Sequence, residues 1–69
     1  MWKVFDIRKA ETNEYLGTVE TETPLDAAII HFSVYGIKIA QIEVNAENPH
    51  EVTIEDVKYT IIEDKSASI

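Results

Sequence analysis

The chain of 69 residues carries a formal net charge of −7 and contains no cysteine. Its length allows one domain with a marginal core, because a chain this short buries only about 60% of its unfolded surface, and no disulfide or cysteine-bound metal reinforces it. The acidic charge repels nucleic acid phosphates and anionic membrane surfaces, and no run of about 18 apolar residues predicts a membrane span.

The first two elements are predicted to form a β-hairpin. Residues 2–8 (WKVFDIR) are rich in aromatic and β-branched residues, and residues 15–21 (YLGTVET) alternate as a strand does. Residues 9–14 have the composition of a turn, in which Asn13 is the expected left-handed residue. Gly17 inside the second strand indicates either a bulge or the close approach of a helix.

A helix over residues 24–35 is predicted by signals at both of its ends. Thr23 is a good N-cap, Pro24 occupies the first helical position, and Asp26 places negative charge at the positive end of the helix. Gly36 stands where a left-handed residue ends a helix. Start and stop signals therefore agree on one short helix.

The second half of the chain is predicted to add two more strands. Residues 37–44 (IKIAQIEV) form a third strand whose apolar phase slips by one residue, which indicates a bulge or burial on both faces. Residues 45–51 form a loop, and residues 52–63 are mostly strand, with residues 53–56 as an alternative single helical turn.

These elements predict an α+β fold of the order β-β-α-β-β. The sheet is expected to have four strands, mostly antiparallel, with the helix of residues 24–35 packed on one face. Residues 1–64 are expected to form the single domain, and residues 65–69 (KSASI) a flexible C-terminal tail.

The helical periodicity leaves two apolar side chains without a place in the core. Because successive residues of a helix are rotated by about 100°, five residues fall on one broad face that is expected to pack on the sheet: Leu25, Ala28, Ile29, Phe32 and Tyr35. Ile30 and Val34 lie four residues apart on a separate flank with Ala27, and His31 lies at the border of that flank. Single exposed hydrophobic residues are normal, but a pair on one flank is also typical of an interaction surface.

The first strand supports the idea of an interaction surface. Trp2 and Val4 share one face of the strand, while Phe5 and Ile7 share the other. One helix covers only one face of the sheet, so apolar residues on both faces suggest that the second face meets a partner. A homodimer is the commonest solution. The predicted interaction residues are Ile30, Val34, His31, Trp2 and Val4.

The acidic residues suggest a second, different function. Residues 1–9 carry a charge of +2, so the rest of the chain carries −9. Carboxylates along a strand can imitate a row of phosphates, and an acidic inhibitor of a nucleic-acid-binding protein, of the kind that phages use, is the alternative hypothesis. A solvated acidic surface that keeps the protein in solution explains the same pattern. The residues in question are Glu20, Glu22, Glu43, Glu47, Glu51, Glu55 and Asp56.

Catalytic chemistry finds little support in the sequence. The chain has no Gly-rich phosphate loop, no GxSxG and no HExxH motif. His50 lies near Glu47 and Glu51, but this spacing matches no established metal motif. We therefore expect a non-enzyme without cofactor or metal. A metal- or ligand-binding enzyme fragment that uses His31 or His50 is the third hypothesis.

One likeness illustrates the class of non-catalytic accessory protein. The W-K-V-F opening, the L-G-T-V strand and the helix with paired alanines resemble the small structural subunit of the phenylacetyl-CoA epoxidase complex over residues 2–44. These positions are shared by many β-β-α-β modules. The charged N-terminus is unlike a signal peptide, so we expect a cytoplasmic protein. We expect an interaction module that binds a protein partner through an apolar strip and a sheet edge, and the acidic charge is compatible with a basic partner.

Overall fold

The computed structural model describes residues 2–66, which form one α-helix and a five-stranded antiparallel sheet. The strand order is β2-β1-β5-β4-β3, and the helix packs on one face of the sheet, so the predicted α+β class is confirmed. Residues 67–69 of the predicted tail lie outside the described residues. The elements are β1 Lys3–Lys9, β2 Tyr15–Thr21, α1 Pro24–Ser33, β3 Glu43–Val44, β4 Glu51–Ile54 and β5 Val57–Glu63.

The N-terminal hairpin forms as the sequence predicts. Asn13 has a φ of 61° and is the left-handed residue of the turn. The pairing shifts where Ile7 faces Gly17 and Arg8 faces Tyr15, which leaves Leu16 as the extra residue of a β-bulge. The bulge predicted around Gly17 is therefore present.

The helix begins as predicted and ends slightly earlier. The Thr23 hydroxyl accepts a hydrogen bond from the backbone N–H of Asp26 at 3.2 Å. The regular helix stops at Ser33 instead of residue 35, because the last turn closes with bonds of a different spacing. Gly36, with a φ of 82°, donates to the Ser33 carbonyl, and the next N–H reaches back to the carbonyl of Phe32, which together form a Schellman motif.

The predicted strand over residues 37–44 is mostly wrong. Ile39–Gln41 form a 3₁₀ turn, and only Glu43–Val44 pair as a strand. The side-chain oxygen of Gln41 accepts a hydrogen bond from the Lys38 backbone N–H at 2.9 Å, and the Gln41 N–H donates to the Lys38 carbonyl. These local bonds occupy backbone groups that a strand ladder needs. The slip in apolar phase was the sign of this break.

The predicted strand over residues 52–63 is two strands. Glu55 and Asp56 have φ values of 49° and 68°, and they connect a tight hairpin in which Ile54 faces Val57. Two consecutive left-handed residues are the geometry of a type I′ turn. The sheet therefore has five strands and not four, and the alternative helical turn over residues 53–56 is wrong.

The core lies between α1 and the inner face of the sheet. The observed burial differs from the helical-wheel prediction at two positions. Ala27, predicted to lie on the flank, is fully buried, whereas Tyr35, predicted to be core, is 70% exposed because it belongs to the terminating turn. The small side chains of Ala27 and Ala28 let the helix approach the sheet closely. The buried apolar residues are Phe5, Ile7, Ala27, Ala28, Phe32, Ile42, Val52, Ile54 and Ile61.

Candidate functional site

The outer edge of β2 is the longest open strand edge of the sheet. β2 is the first strand in the sheet order and pairs with β1 alone among the described residues. It is seven residues long. The outer side of such a strand presents unpaired backbone N–H and C=O groups, which makes it a template for another strand.

A groove runs between this edge and the helix. Its volume is about 390 Å³, and it is open to solvent along its length. We call it the edge groove. Three of its residues belong to β2 and four to α1 and its terminating turn: Thr18, Val19, Glu20, Ile30, His31, Val34 and Tyr35.

The helical wall of the edge groove is apolar. Ile30 is 46% exposed and Val34 is 79% exposed. The two lie four residues apart and therefore on the same side of the helix. The exposed flank predicted from the helical wheel thus exists, and the structure places it beside an open strand edge, which the wheel alone did not indicate.

The His31 ring, which lines the edge groove, packs against Gly17. A Cβ atom on Gly17 would lie 3.0 Å from Cε1 of His31, so the absence of a side chain makes room for the imidazole. The ring also packs edge-on against Phe32, with centroids 4.8 Å apart, and lies 5.5 Å from the ring of Tyr35. Partial burial lowers the pKa of His31 below its ordinary value, because the charged imidazole loses solvation.

A second depression continues the apolar surface beyond His31. Its volume is about 340 Å³, and it shares His31 and Tyr35 with the edge groove. The Phe32 and Tyr59 rings, tilted by 59° with their centroids 4.8 Å apart, line it together with Leu16 and Ile37. Sequence reasoning missed the contributions of Tyr35 and Ile37. The signal in the sequence was Gly36, because the chain turns there and the turn changes the direction of Tyr35 and Ile37.

Val4 lies away from the edge groove. It alternates with buried Phe5 and so belongs to the face of the sheet that α1 does not cover, the open face. Ile62, 47% exposed, belongs to the same face. Trp2 precedes β1 and is exposed. The structure therefore brings Ile30, His31 and Val34 together and separates Val4 from them.

The rest of the open face over β1 and β2 carries a polar network around the exposed Tyr15 ring. The Tyr15 hydroxyl hydrogen-bonds with Thr18, which in turn donates to the Asp6 carboxylate at 3.1 Å. The Arg8 guanidinium lies over the Tyr15 ring, 5.4 Å from its centroid, and donates to the Asn13 carbonyl. This network needs no partner, so the open face is a weaker candidate for binding than the edge groove.

The seven acidic candidates do not form one row. Glu20 and Glu22 lie at the β2 edge, whereas Glu43 belongs to β3 at the opposite edge, four strand spacings or about 19 Å away. Glu51 is half-buried and accepts a hydrogen bond from the Asn45 side chain at 3.2 Å, with Lys58 at 3.9 Å. The others occupy turns: Glu47, Glu55 and Asp56.

His50 has a structural contact. Its Nδ1 lies 2.9 Å from the Ile61 carbonyl oxygen, and because a carbonyl only accepts, Nδ1 donates. The Ile61 N–H donates to the His50 carbonyl at 2.8 Å, so this residue ties the start of β4 to β5. Over residues 2–66, no group of three His, Asp or Glu side chains is arranged to hold a metal ion. The helix of the described chain is too short to cross a membrane.

Over residues 2–66, fold and surface together define the class: a small α+β domain with one helix, a long open strand edge and a groove between them whose helical wall is apolar. No protein-family model, curated protein or solved structure matches the chain. Residues 2–44 resemble the small structural subunit of the phenylacetyl-CoA epoxidase complex in sequence alone, and the accessory role that this resemblance implies stays a prediction.

Proposed function

We propose that this protein is a non-catalytic interaction module that binds another polypeptide in the edge groove. The observation that supports this function is the position of Ile30 and Val34, exposed apolar side chains beside the unpaired edge of β2. Neither feature alone defines a site, because isolated exposed hydrophobic residues are common. Their adjacency offers backbone hydrogen bonds and apolar contact to the same ligand.

The two alternative hypotheses receive less support. A phosphate-mimicking inhibitor needs carboxylates in a regular row, and the acidic residues are distributed over both edges of the sheet, β4 and the turns. An enzyme fragment needs a base with an orienting partner in a pocket. His31 packs against two aromatic rings and Gly17, and His50 is engaged with the backbone of Ile61.

The test compares two isoleucines of nearly equal exposure. Ile30 (46%) lies in the edge groove, and Ile62 (47%) lies on the open face. The tagged protein and the variants Ile30→Gln and Ile62→Gln are used to recover bound proteins from cells that encode it, and the proteins retained by each are quantified. We expect Ile30→Gln to lose proteins that the wild type and Ile62→Gln both retain.

Circular dichroism and thermal unfolding of the three proteins control for loss of fold. If folded Ile30→Gln retains the same proteins as the wild type, the edge groove is not the binding surface and the proposal fails. If Ile62→Gln alone loses them, binding belongs to the open face.

A further inference from the structure

We infer that the edge groove receives an extended segment of another protein in which apolar residues alternate with lysine or arginine. The segment adds to β2 as a sixth strand. This inference rests on the proposed function and names the chemistry of its partner. It follows from the backbone of β2, the faces on either side of it and the charge of the chain around it.

The backbone of β2 determines the conformation of the ligand. Among residues 2–66 its outer edge has no strand partner, and a seven-residue strand offers hydrogen bonds only to a ligand that is itself extended. A helical ligand leaves these groups unpaired. The groove is therefore better suited to a strand than to a helix.

The two faces next to β2 determine the alternation of the ligand. Val19 faces Phe5 across the hairpin and lies on the helix side, where Ile30 and Val34 form the apolar wall. Thr18 and Glu20 lie on the open face. Side chains of an added strand alternate between the same two sides. Every second residue of the ligand thus meets apolar side chains, and the residues between them meet Thr18 and Glu20.

The charge around β2 determines the sign of the polar residues. Residues 10–37, which include β2 and α1, carry five carboxylates and no lysine or arginine. Glu20 faces Val4 across the hairpin, so its cross-strand neighbour on β1 is uncharged. On β1, Lys3 lies 4.0 Å from Glu63, and Arg8 is directed to Asn13 and Tyr15. A cationic ligand is attracted to this edge and an anionic one is repelled.

The same charges disfavour a second copy of this chain as the occupant. Two β2 edges in an antiparallel pair would bring together two segments that carry five carboxylates each and no lysine or arginine. Like charges across a strand pair are destabilising. The homodimer expected from the sequence is therefore a less suitable occupant than a basic segment.

The experiment uses a synthetic probe: a peptide as long as β2, seven residues, in which valine and lysine alternate. A second peptide has glutamate in place of lysine, and a third has proline at two internal positions and cannot pair as a strand. Binding to the ¹⁵N-labelled protein is followed by amide chemical shifts and hydrogen exchange. We expect the lysine peptide to shift and protect amides of β2, and the other two to leave them unchanged.

Variants separate the two sides of the groove. Ile30→Gln combined with Val34→Gln is expected to weaken peptide binding tenfold or more, which corresponds to about 1.4 kcal/mol of lost apolar contact. Glu20→Gln is expected to weaken it by about two- to fivefold, as for an exposed ion pair, and to reduce its dependence on salt. Glu43→Gln, on β3 at the opposite edge, is the matched control and is expected to bind as the wild type does.

Three results would overturn the inference. These are equal binding of the glutamate peptide, equal binding of the proline peptide, and concentration-dependent dimerisation in sedimentation that shifts the β2 amides, which would make a second copy the occupant. No binding of the lysine peptide, while Ile30→Gln still loses its cellular partners, would reject this ligand chemistry and leave the proposed function standing. If Ile30→Gln retains those partners, the proposed function itself fails.

Discussion

The two edges of the sheet are built differently. β2 forms one edge with seven residues and has α1 beside it, whereas β3 forms the other with two residues. β3 follows the Ile39–Gln41 turn and is followed by a turn in which the Asn48 N–H donates to the Asn45 carbonyl. A very short edge strand exposes few unpaired groups and is a common protection against unwanted pairing. The chain therefore shortens the edge strand β3 and leaves the long edge of β2 open.

This difference shows that two equally exposed apolar side chains can have different surroundings. Val44 on β3 and Ile30 on α1 are both 46% exposed. Val44 lies on a two-residue strand, while Ile30 lines a groove beside a long strand edge. The following changes test how far the β2 edge depends on its helix, in order of decreasing expected effect.

The largest effect is expected when the helix loses its anchor. Phe32 is buried, its ring centroid lies 4.8 Å from that of Tyr59, and it contacts His31. Phe32→Ala should lower the free energy of unfolding by about 3–5 kcal/mol through lost burial and the cavity that remains. Val44→Ala at the other edge should change it by less than about 0.5 kcal/mol. Urea denaturation measures both, and similar values for the two variants would contradict the comparison.

A smaller loss is expected when Gly17 gains a side chain. Gly17→Val introduces a branched side chain where a Cβ atom alone comes within 3.0 Å of His31, and overpacking of this kind costs about 1–3 kcal/mol. In a His31→Ala background the obstacle is absent, and the same substitution should cost measurably less. Urea denaturation of the four proteins gives the coupling. Equal costs in both backgrounds would show that the contact does not limit the approach of the helix.

A modest gain is expected at the turn between β4 and β5. Asp56 has a φ of 68°, a conformation that costs an ordinary residue about 1–2 kcal/mol and glycine almost nothing. Asp56→Gly should therefore raise stability by about 0.5 kcal/mol after the loss of roughly 0.5–1 kcal/mol in chain entropy. Asp56→Ala keeps the strained backbone and should bring no such gain. Because the turn is distant from the edge groove in the sheet order, peptide binding should not change in either variant.

The smallest effect is expected from the titration of His31. Its pKa is lowered in the folded protein by desolvation, so the unfolded chain binds this proton more readily. The neutral imidazole contributes its full stability when the pH is above 6.5, the ordinary pKa of histidine. This contribution is lost as the pH falls below 6.5. The melting temperature of the wild type should therefore fall more between pH 7 and pH 5 than that of His31→Gln. Parallel curves would mean that the imidazole is equally solvated in both states.

Elements with local signals were predicted well. The β2 bounds and the first residue of α1 agree with the structure, because alternation, the Thr23 cap and Pro24 act within a few residues of the chain. The turn at Glu55 and Asp56 was missed, because a type I′ turn is ordinarily recognised in a sequence by Asn-Gly or Asp-Gly, and neither is present here. Here the pairing of β4 with β5 imposes left-handed conformations on residues that do not favour them.

The candidate site was predicted only in part. The helical period indicated that Ile30 and Val34 lie together outside the core, since that relation depends on the geometry of one helix. Gly17 was predicted to mark either a bulge or the close approach of the helix, and both are present. The exposure of Tyr35 followed from hydrogen bonds in the terminating turn, which the wheel does not include.

The sequence by itself determined the hairpin, the helix, its exposed flank and the acidic charge of residues 10–37, because these properties depend on neighbours in the chain. Only the tertiary structure decided which strand lies at the edge. β1 pairs with β5, from Phe5 opposite Glu63 to Lys9 opposite Tyr59, and this contact fills the second side of β1 and leaves β2 outermost. This pairing brings together strands from the two ends of the chain. It depends on how the whole core is buried, and no local sequence pattern predicts it.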